Sequence, residues 1–149
     1  MHLKALTLLA FTTIGCNEIN LIPQTTHAGT RITVPAMLTL DPGVKVAGLE
    51  MTLSIDPPLH FDGCTRSTSA TDAISNSEFG NQQGKLVAIA ADVTTGWTNI
   101  TQIYSCDIIV PSSTPNGSYP IIVSKAMISD TMGHRLLLKA YEGVVHVVP

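Results

Sequence analysis

The sequence predicts an all-β fold, a two-sheet β-sandwich with jelly-roll topology and about nine strands. Short segments alternate between apolar and polar residues, and turn residues recur roughly every eight to twelve positions. Charged residues make up only 13% of the chain, well below the roughly 25% of an average soluble protein. The length of 149 residues suits one such domain behind a short leader.

The amino-terminal half contains two predicted strands and a long polar segment. Residues 30–40 alternate and are rich in β-branched side chains, and Pro35 marks either an edge strand or a bulge. Residues 44–55 alternate more regularly, which predicts a half-buried strand. Residues 62–84 are polar throughout, which predicts a long loop with a helical turn at residues 70–75.

The carboxy-terminal half supplies the remaining strands. Residues 85–91 form a mostly apolar segment, and residues 99–110 form a long alternating one. In the long segment, the inward-facing row passes through either Ile103 or Tyr104. A strand at residues 118–129 and a closing hairpin made of residues 136–140 and 143–148 complete the predicted sandwich.

The first residues have the pattern of an export signal. Residues 1–15 carry Lys4 and then a short apolar run, too short for a permanent membrane helix of about 20 residues. Cys16 directly follows a glycine, which resembles the lipobox of bacterial lipoproteins and predicts a lipid on its sulfur. Thr13 stands where Leu is usual, so plain secretion is one alternative and a buried first strand is another.

This reading divides the chain into a signal peptide at residues 1–15, a lipidated tether at residues 16–29 and a domain at residues 30–149. Residues 17–29 show no clear hydrophobic period, which is why they are assigned to the tether. The expected location is secreted, anchored by lipid at the bacterial outer membrane or cell surface. The lipid makes a membrane one of the predicted partners.

The charge pattern argues against nucleic acid as a partner. Eight Lys and Arg residues face eleven Asp and Glu residues, for a formal net charge of −3. The basic residues are scattered along the sequence, so no basic stripe exists that could neutralise a row of phosphates.

The three cysteines suggest one lipidated residue and one disulfide. With Cys16 assigned to lipid, Cys64 and Cys106 remain, and an exported protein meets oxidising conditions in which such a pair bonds. A metal site and a catalytic thiol served by His60 or His134 are the alternatives. The disulfide is favoured because neither cysteine has a close Cys or His neighbour in sequence.

No sequence motif indicates catalysis. The histidines lack the spacing that places two on one face, and no nucleophile elbow or calcium loop pattern is present in the sequence. The prediction is therefore no enzyme, with no catalytic residue, no metal and no cofactor. The aspartates, Asp130 among them, are assigned to turns.

Three segments in order resemble the cohesin domain and its relatives among cellulose-binding modules. They are an alternating strand ending in Asp-Pro at residues 46–57, a Gly-Lys-Leu strand at residues 84–90, and a Gly-Ser-Tyr-Pro strand at residues 116–121. A Ser-Asp turn at residues 129–133 and Gly-Val-Val at residues 143–145 follow. The resemblance extends over about residues 30–148. It implies a jelly roll without catalytic residues, whose flat face binds either a dockerin-like protein or a polysaccharide.

Four residues are the candidate contacts with that partner. Glu50 and Thr52 belong to the polar row of an alternating strand whose apolar row is used in the core. Trp97 and Tyr104 are aromatic rings of the kind that stack on sugars, although Trp97 could equally cap the end of the sandwich. The alternative function is a structural subunit of an envelope or extracellular assembly that pairs through its sheet edges.

Overall fold

The computed structural model describes residues 17–66, 73–79, 84–91 and 102–149. The predicted signal peptide, Cys16 and Trp97 lie outside these residues. No helix that could cross a membrane is found in the described ranges.

Within those ranges the chain forms twelve strands in two sheets. The strands are β1 Asn17–Leu21, β2 Gln24–His27, β3 Thr30–Thr39, β4 Val46–Ile55, β5 His60–Arg66, β6 Ala73–Phe79, β7 Gly84–Ala91, β8 Gln102–Val110, β9 Gly117–Asp130, β10 Arg135–Leu136, β11 Leu138–Tyr141 and β12 Gly143–Val148. One sheet has the order β11-β1-β3-β8-β5, and the seven-stranded sheet has the order β2-β12-β9-β4-β7-β6, with β10 beside β9. The predicted jelly-roll sandwich is confirmed. The strand count exceeds nine because β1, β2, β5 and β6 form where no strand was predicted.

The core lies between the sheets and follows from the alternation of the strands. In β4, Leu49, Met51 and Leu53 are buried, and the residues between them point to the outside of the sheet. In β8, Cys106 and Ile108 are buried in the same way. Each strand therefore commits one face to the core and leaves the other for solvent or a partner.

A β-bulge interrupts the pairing of β3 with β8. The register shifts between Ala36 and Met37, so Ile103 and Tyr104 are both buried instead of one of them. The extra residue in a bulge explains why simple alternation could not choose between those two side chains. Pro35 adjoins this bulge, and β3 has neighbours on both sides, so the edge-strand alternative for Pro35 is wrong.

The tether prediction is wrong for residues 17–29. Strand β1 pairs with both β3 and β11, and β2 pairs with β12 in the other sheet. Ile19 and Leu21 lie in the core, so residues from Asn17 onward belong to the domain, which does not begin at Thr30. The two strands are only five and four residues long and are separated at Pro23, so neither is long enough to show a clear period.

The predicted loop at residues 62–84 is also wrong where the structure describes it, at residues 62–66, 73–79 and 84, and the rest of that prediction lies outside the described residues. Strand β5 continues to Arg66 beside β8, and β6 pairs with β7 where a helical turn was expected. Both are edge strands with one neighbour each. Edge strands tolerate polar sequences, which is why the composition resembled a loop.

The closing hairpin is wrong in its pairing, although its strands exist. Strand β11 pairs with β1 in the five-stranded sheet, whereas β12 pairs with β9 and β2 in the other sheet. The chain therefore crosses between the sheets at Glu142. Gly143 allows this crossing, because a Cβ there would lie only 2.8 Å from the Cβ of Leu21.

The predicted disulfide is confirmed. Cys64 in β5 and Cys106 in β8 are direct partners in the antiparallel register, and they are bonded to each other. Both lie against the core, which excludes the metal site and the catalytic thiol as roles for this pair. The bond ties the edge strand β5 to its neighbour β8.

We expect Cys106→Ser to lower the free energy of unfolding by up to about 4 kcal/mol, because the bond closes a loop with a sequence separation of 42 residues. Urea unfolding monitored by circular dichroism would measure the change. The variant lacking both cysteines is the control, and it should lose a similar amount. Alkylation of either cysteine in native, unreduced protein would contradict the assignment.

We expect Ile19→Ala to cost roughly 2–4 kcal/mol of unfolding free energy, because this fully buried side chain leaves a cavity in the core. Asn20→Ala is the matched control, since the neighbouring side chain faces outward and should change stability far less. Equal, small effects of the two substitutions in thermal and urea unfolding would indicate a tether after all.

Candidate binding surface

The outward row of β4 runs along the middle of the seven-stranded sheet. Glu50, Thr52 and Ser54 are half-buried and alternate with fully buried neighbours. Strand β4 lies between β9 and β7, so these side chains have a strand on each side. The prediction that Glu50 and Thr52 face away from the core is therefore correct.

Strand β9 contributes the adjacent row of the same face. In the register, Met127 lies opposite Glu50, Lys125 opposite Thr52, and Ile122 opposite Ser54. The ammonium of Lys125 forms an ion pair with the carboxylate of Glu50 across the strands. A bulge at the middle of this pairing adds Ser124, whose hydroxyl donates a hydrogen bond of 3.3 Å to the carbonyl of Thr52. We call the six side chains of the two rows the recognition face: Glu50, Thr52, Ser54, Ile122, Lys125 and Met127.

The recognition face combines apolar side chains with one ion pair. Ile122 is 39% exposed, which is unusual for an isoleucine in the middle of a strand, and Met127, further along β9 on the other side of Lys125, is half-buried. The Glu50–Lys125 pair is partly exposed, so it contributes only about 0–1 kcal/mol to stability and is available to a partner. Along β9, Ser124 and Lys125 lie between Ile122 and Met127, so apolar side chains flank a polar middle. Protein interfaces commonly combine apolar and polar groups.

The aromatic candidates do not join this face. Tyr104 is fully buried, and its hydroxyl donates to the sulfur of Met51 at 3.2 Å inside the core. Burial raises the pKa of this tyrosine well above its ordinary value. The prediction that Tyr104 contacts a partner is wrong, because the bulge in β8 turns the side chain inward.

The remaining tyrosines are only partly exposed. The hydroxyl of Tyr119 donates to the carbonyl of Pro115 at 2.8 Å, and that of Tyr141 donates to Glu18 at 3.2 Å. The ammonium of Lys139 lies 4.7 Å above the ring of Tyr141, which occupies one side of that ring. Neither ring forms part of a row of open aromatic side chains.

The outer face of the five-stranded sheet contains a closed polar network. Arg31 contacts Asp62 at 2.6 Å and Asp107 at 2.7 Å, and the hydroxyl of Thr33 donates to Asp107 at 2.6 Å. The hydrogen bond from Thr33, followed by that from Arg31, lowers the pKa of Asp107. A carboxyl with a lowered pKa stabilises the fold above its ordinary pKa, and this contribution is lost as pH falls through the lowered value. Arg31, Asp62 and Asp107 therefore form their ion pairs with one another on this face of the sheet.

The described residues show no arrangement suited to catalysis. Over these ranges no group of three or more His, Cys, Asp or Glu side chains could hold a metal ion. A shallow depression is lined by residues that include Gly29, Thr30, Val110 and Pro111, with Arg31 as its one ionisable side chain. Its lining also includes the hydroxyls of Thr30 and Ser112, but it contains no carboxylate or imidazole that could act on them as a base.

The β9 side of the recognition face was not predicted from the sequence. Ile122, Lys125 and Met127 became neighbours of Glu50 and Thr52 through a pairing between strands about 75 residues apart in the chain. The bulge at Ser124 also breaks the alternation of β9, so its outward row changes parity. The only local signal was the unbroken polar row of β4.

Solved cohesin structures are similar to this fold at low sequence identity. A type I cohesin–dockerin complex from Clostridium thermocellum gives a TM-score of 0.81 at 15% identity, covering 90% of this chain and 100% of that one. The sixth cohesin of scaffoldin B from Acetivibrio cellulolyticus, bound to a mutant Cel5 dockerin, gives 0.79 at 14% identity, with 90% and 100% covered. A non-cellulosomal cohesin from the hyperthermophilic archaeon Archaeoglobus fulgidus gives 0.77 at 16% identity, with 91% and 93% covered.

No family model matches the sequence, and no curated protein matches it either. The likeness to cohesins is therefore carried by the three-dimensional arrangement of the strands over nine-tenths of the chain. The fold of this chain is therefore similar to that of cohesin domains.

Proposed function

We propose that this domain is a non-catalytic binding module of cohesin type, which holds a protein partner of the dockerin kind on the recognition face. The observation that carries the proposal is the composition of that face, where an exposed Ile122 and a half-buried Met127 lie on either side of Lys125, which pairs with Glu50. Two of the similar structures are complexes of cohesins with dockerins, which supports a protein as the class of ligand.

A protein partner fits the recognition face better than a polysaccharide does. Sugar binding generally uses exposed aromatic rings, and Tyr104 is buried while Tyr119 and Tyr141 are only partly exposed. Isoleucine and methionine side chains beside an ion pair are suited to a complementary protein surface instead. A polysaccharide ligand remains the second possibility within this binding role.

The flat geometry of the recognition face supports a role without catalysis. Glu50 and Lys125 lie on an open sheet and pair with each other, so neither is placed in a cleft that excludes water. Chemistry on a bound substrate needs such exclusion and a second polar group aimed at the reacting atom. Binding a partner to a flat sheet requires neither the exclusion of water nor a second polar group of this kind.

The alternative function is a structural subunit that pairs through its sheet edges. The edge strands are β11 and β5 in one sheet and β2 and β6 in the other. Two of them, β2 and β11, have only four residues each, so a strand from another subunit could form few backbone hydrogen bonds with either. Ordered oligomers of the purified protein in analytical ultracentrifugation would favour this alternative over the binding module.

We further propose that the module is displayed from a lipid on Cys16 at the bacterial outer membrane or cell surface. The export-signal pattern of residues 1–15 and the glycine before Cys16 support this location. The disulfide between Cys64 and Cys106 is consistent with export, because such bonds persist in oxidising compartments.

We expect charge reversal by Glu50→Lys to weaken binding of a dockerin module about tenfold or more, equivalent to about 1.4 kcal/mol. The reversed charge faces Lys125 and repels it, which disturbs the centre of the recognition face. Candidate dockerins would be found on a protein array of such modules, and affinities measured by isothermal titration calorimetry.

The matched control is Glu142→Lys, which reverses the charge of an exposed glutamate between β11 and β12 and should leave the affinity unchanged. Both variants should melt within a few degrees of the parent, because exposed ion pairs contribute little to stability. Equal losses of affinity in the two variants would reject the recognition face as the binding surface. Binding of polysaccharides but of no dockerin would reject the protein ligand.

We expect protein made in bacterial cells to partition into the detergent phase and Cys16→Ser to abolish this partitioning. Several acyl chains, each contributing about 0.8 kcal/mol per buried methylene, make such an anchor effectively permanent. Mass spectrometry of the mature protein would identify the modified residue. A free thiol at Cys16, or an amino terminus elsewhere, would refute the anchor.

A further inference from the structure

The start of β1 lies at one end of the sandwich, which we call the proximal end. It is formed by Asn17, the connection between β3 and β4 at residues 40–45, the connection between β9 and β10 at residues 131–134, and Leu137. Glu18 pairs with Thr39 at the end of β3, and Val46 pairs with Asp130 at the end of β9. The register therefore places all of these segments together. The opposite, distal end contains residues 111–116 and the carboxy terminus.

Asn17 fixes the chain to the proximal end by its side chain. The residue is only 5% exposed, its amide donates to the carbonyl of Leu137 at 3.0 Å, and its oxygen accepts from the backbone of Asp41 at 3.0 Å. The position directly before Asn17 is Cys16. A lipid on that sulfur would therefore be separated from the folded domain by a single peptide bond and not by a tether.

The proximal end carries the most exposed large hydrophobic side chains of the described residues. Leu137 is 78% exposed and Met132 is 76% exposed, whereas the next two, Ile122 and Ile22, are at 39% and 37%. Apolar side chains exposed at one end of a domain can be buried in the interfacial zone of a bilayer, where their removal from water is favourable. Both residues lie at the end where the chain leaves toward Cys16.

The exposed charges at this end are basic. Lys45 and Arg135 are exposed, one before β4 and one at the start of β10, whereas Asp41 in the connection between β3 and β4 is half-buried. The carboxylate of Asp130 is turned into its own connection, where it accepts from the backbone of Met132 at 2.9 Å and of His134 at 2.8 Å. These hydrogen bonds lower the pKa of Asp130, confirm its predicted turn role and hold Met132 at the tip of a fixed turn. Basic side chains beside apolar ones favour membranes that contain anionic lipids.

We propose that the proximal end of the sandwich docks on the lipid surface, with Met132 and Leu137 inserted among the headgroups beside the anchored Cys16. This inference rests on the proposed lipid anchor. It fixes how the domain stands on the membrane, with the strands rising from the surface and the distal end outermost.

This orientation leaves the recognition face accessible to a partner. Glu50 lies four residues into β4 from its proximal end and Ser54 lies eight residues in. At about 3.3 Å per residue, these side chains would stand roughly 13 to 26 Å along the strand from the membrane-facing end. The recognition face is a side wall of the sandwich, so docking at the end does not cover it.

The test uses the full chain, lipidated in cells and reconstituted into vesicles of phosphatidylethanolamine and phosphatidylglycerol. Met132→Cys carries a polarity-sensitive fluorophore at the proximal end, and Ser113→Cys carries it at an exposed distal position as the matched control. We expect the label at position 132 to shift its emission to shorter wavelength and to be quenched by spin-labelled acyl chains. The label at position 113 should show neither change.

A third variant, Leu137→Asp in the Met132→Cys background, should reduce both the wavelength shift and the quenching, because a charge there opposes insertion. Vesicle flotation separates the two proposals that this experiment involves. If the protein floats with the vesicles but both labels remain in water, the domain stands away from the membrane and the docking proposal is overturned while the anchor holds. If the protein does not float, the anchor fails and the docking proposal fails with it.

Discussion

The fold depends on a short amino-terminal segment that hydrogen-bonds to both sheets. Strand β1 lies between β3 and β11, and after Pro23 the chain continues as β2 beside β12 in the other sheet. The two parallel pairings join the beginning of the domain to its end, and Ile19 and Leu21 complete the core at that side. Because a sandwich must cover the apolar inner faces of both sheets, loss of this segment would expose the core along one margin.

With both sheets joined in this way by β1 and β2, the surface of the sandwich has several parts with different properties. The inner faces are used up in packing, the outer face of the five-stranded sheet satisfies its charges through Arg31 and Asp107, and the recognition face keeps apolar side chains open beside one exposed ion pair. The two ends differ as well, since the proximal end carries Met132 and Leu137. Under the proposed function, the open face is a side wall of the sandwich and the proposed attachment is at its proximal end.

The sequence predicted the structure correctly where the decisive pattern lies within a single strand or a single pair of residues. The alternation of β4 predicted both the buried row and the outward positions of Glu50 and Thr52, and the two internal cysteines predicted their bond. It was insufficient where the decisive contact is distant in the chain. Tyr104 was predicted to lie on the surface because the bulge in β8 interrupts the alternation of inward and outward side chains, and the sequence does not reveal that bulge. The strands within residues 17–29 are too short to show a hydrophobic period. The β9 half of the recognition face depended on a register set by the whole sheet.

The methionine methyl groups provide the most direct test of the recognition face, because the four in the described residues lie in four different environments. Met127 is on the recognition face, Met37 is on the outer face of the other sheet, Met51 is in the core, and Met132 is at the proximal end. The measurement is a nuclear magnetic resonance titration of methyl-labelled protein with a dockerin module that binds it. A shift of the Met127 resonance, with those of Met37 and Met132 unchanged, is the predicted result. A shift of Met37 or Met132 with Met127 unchanged would contradict the account.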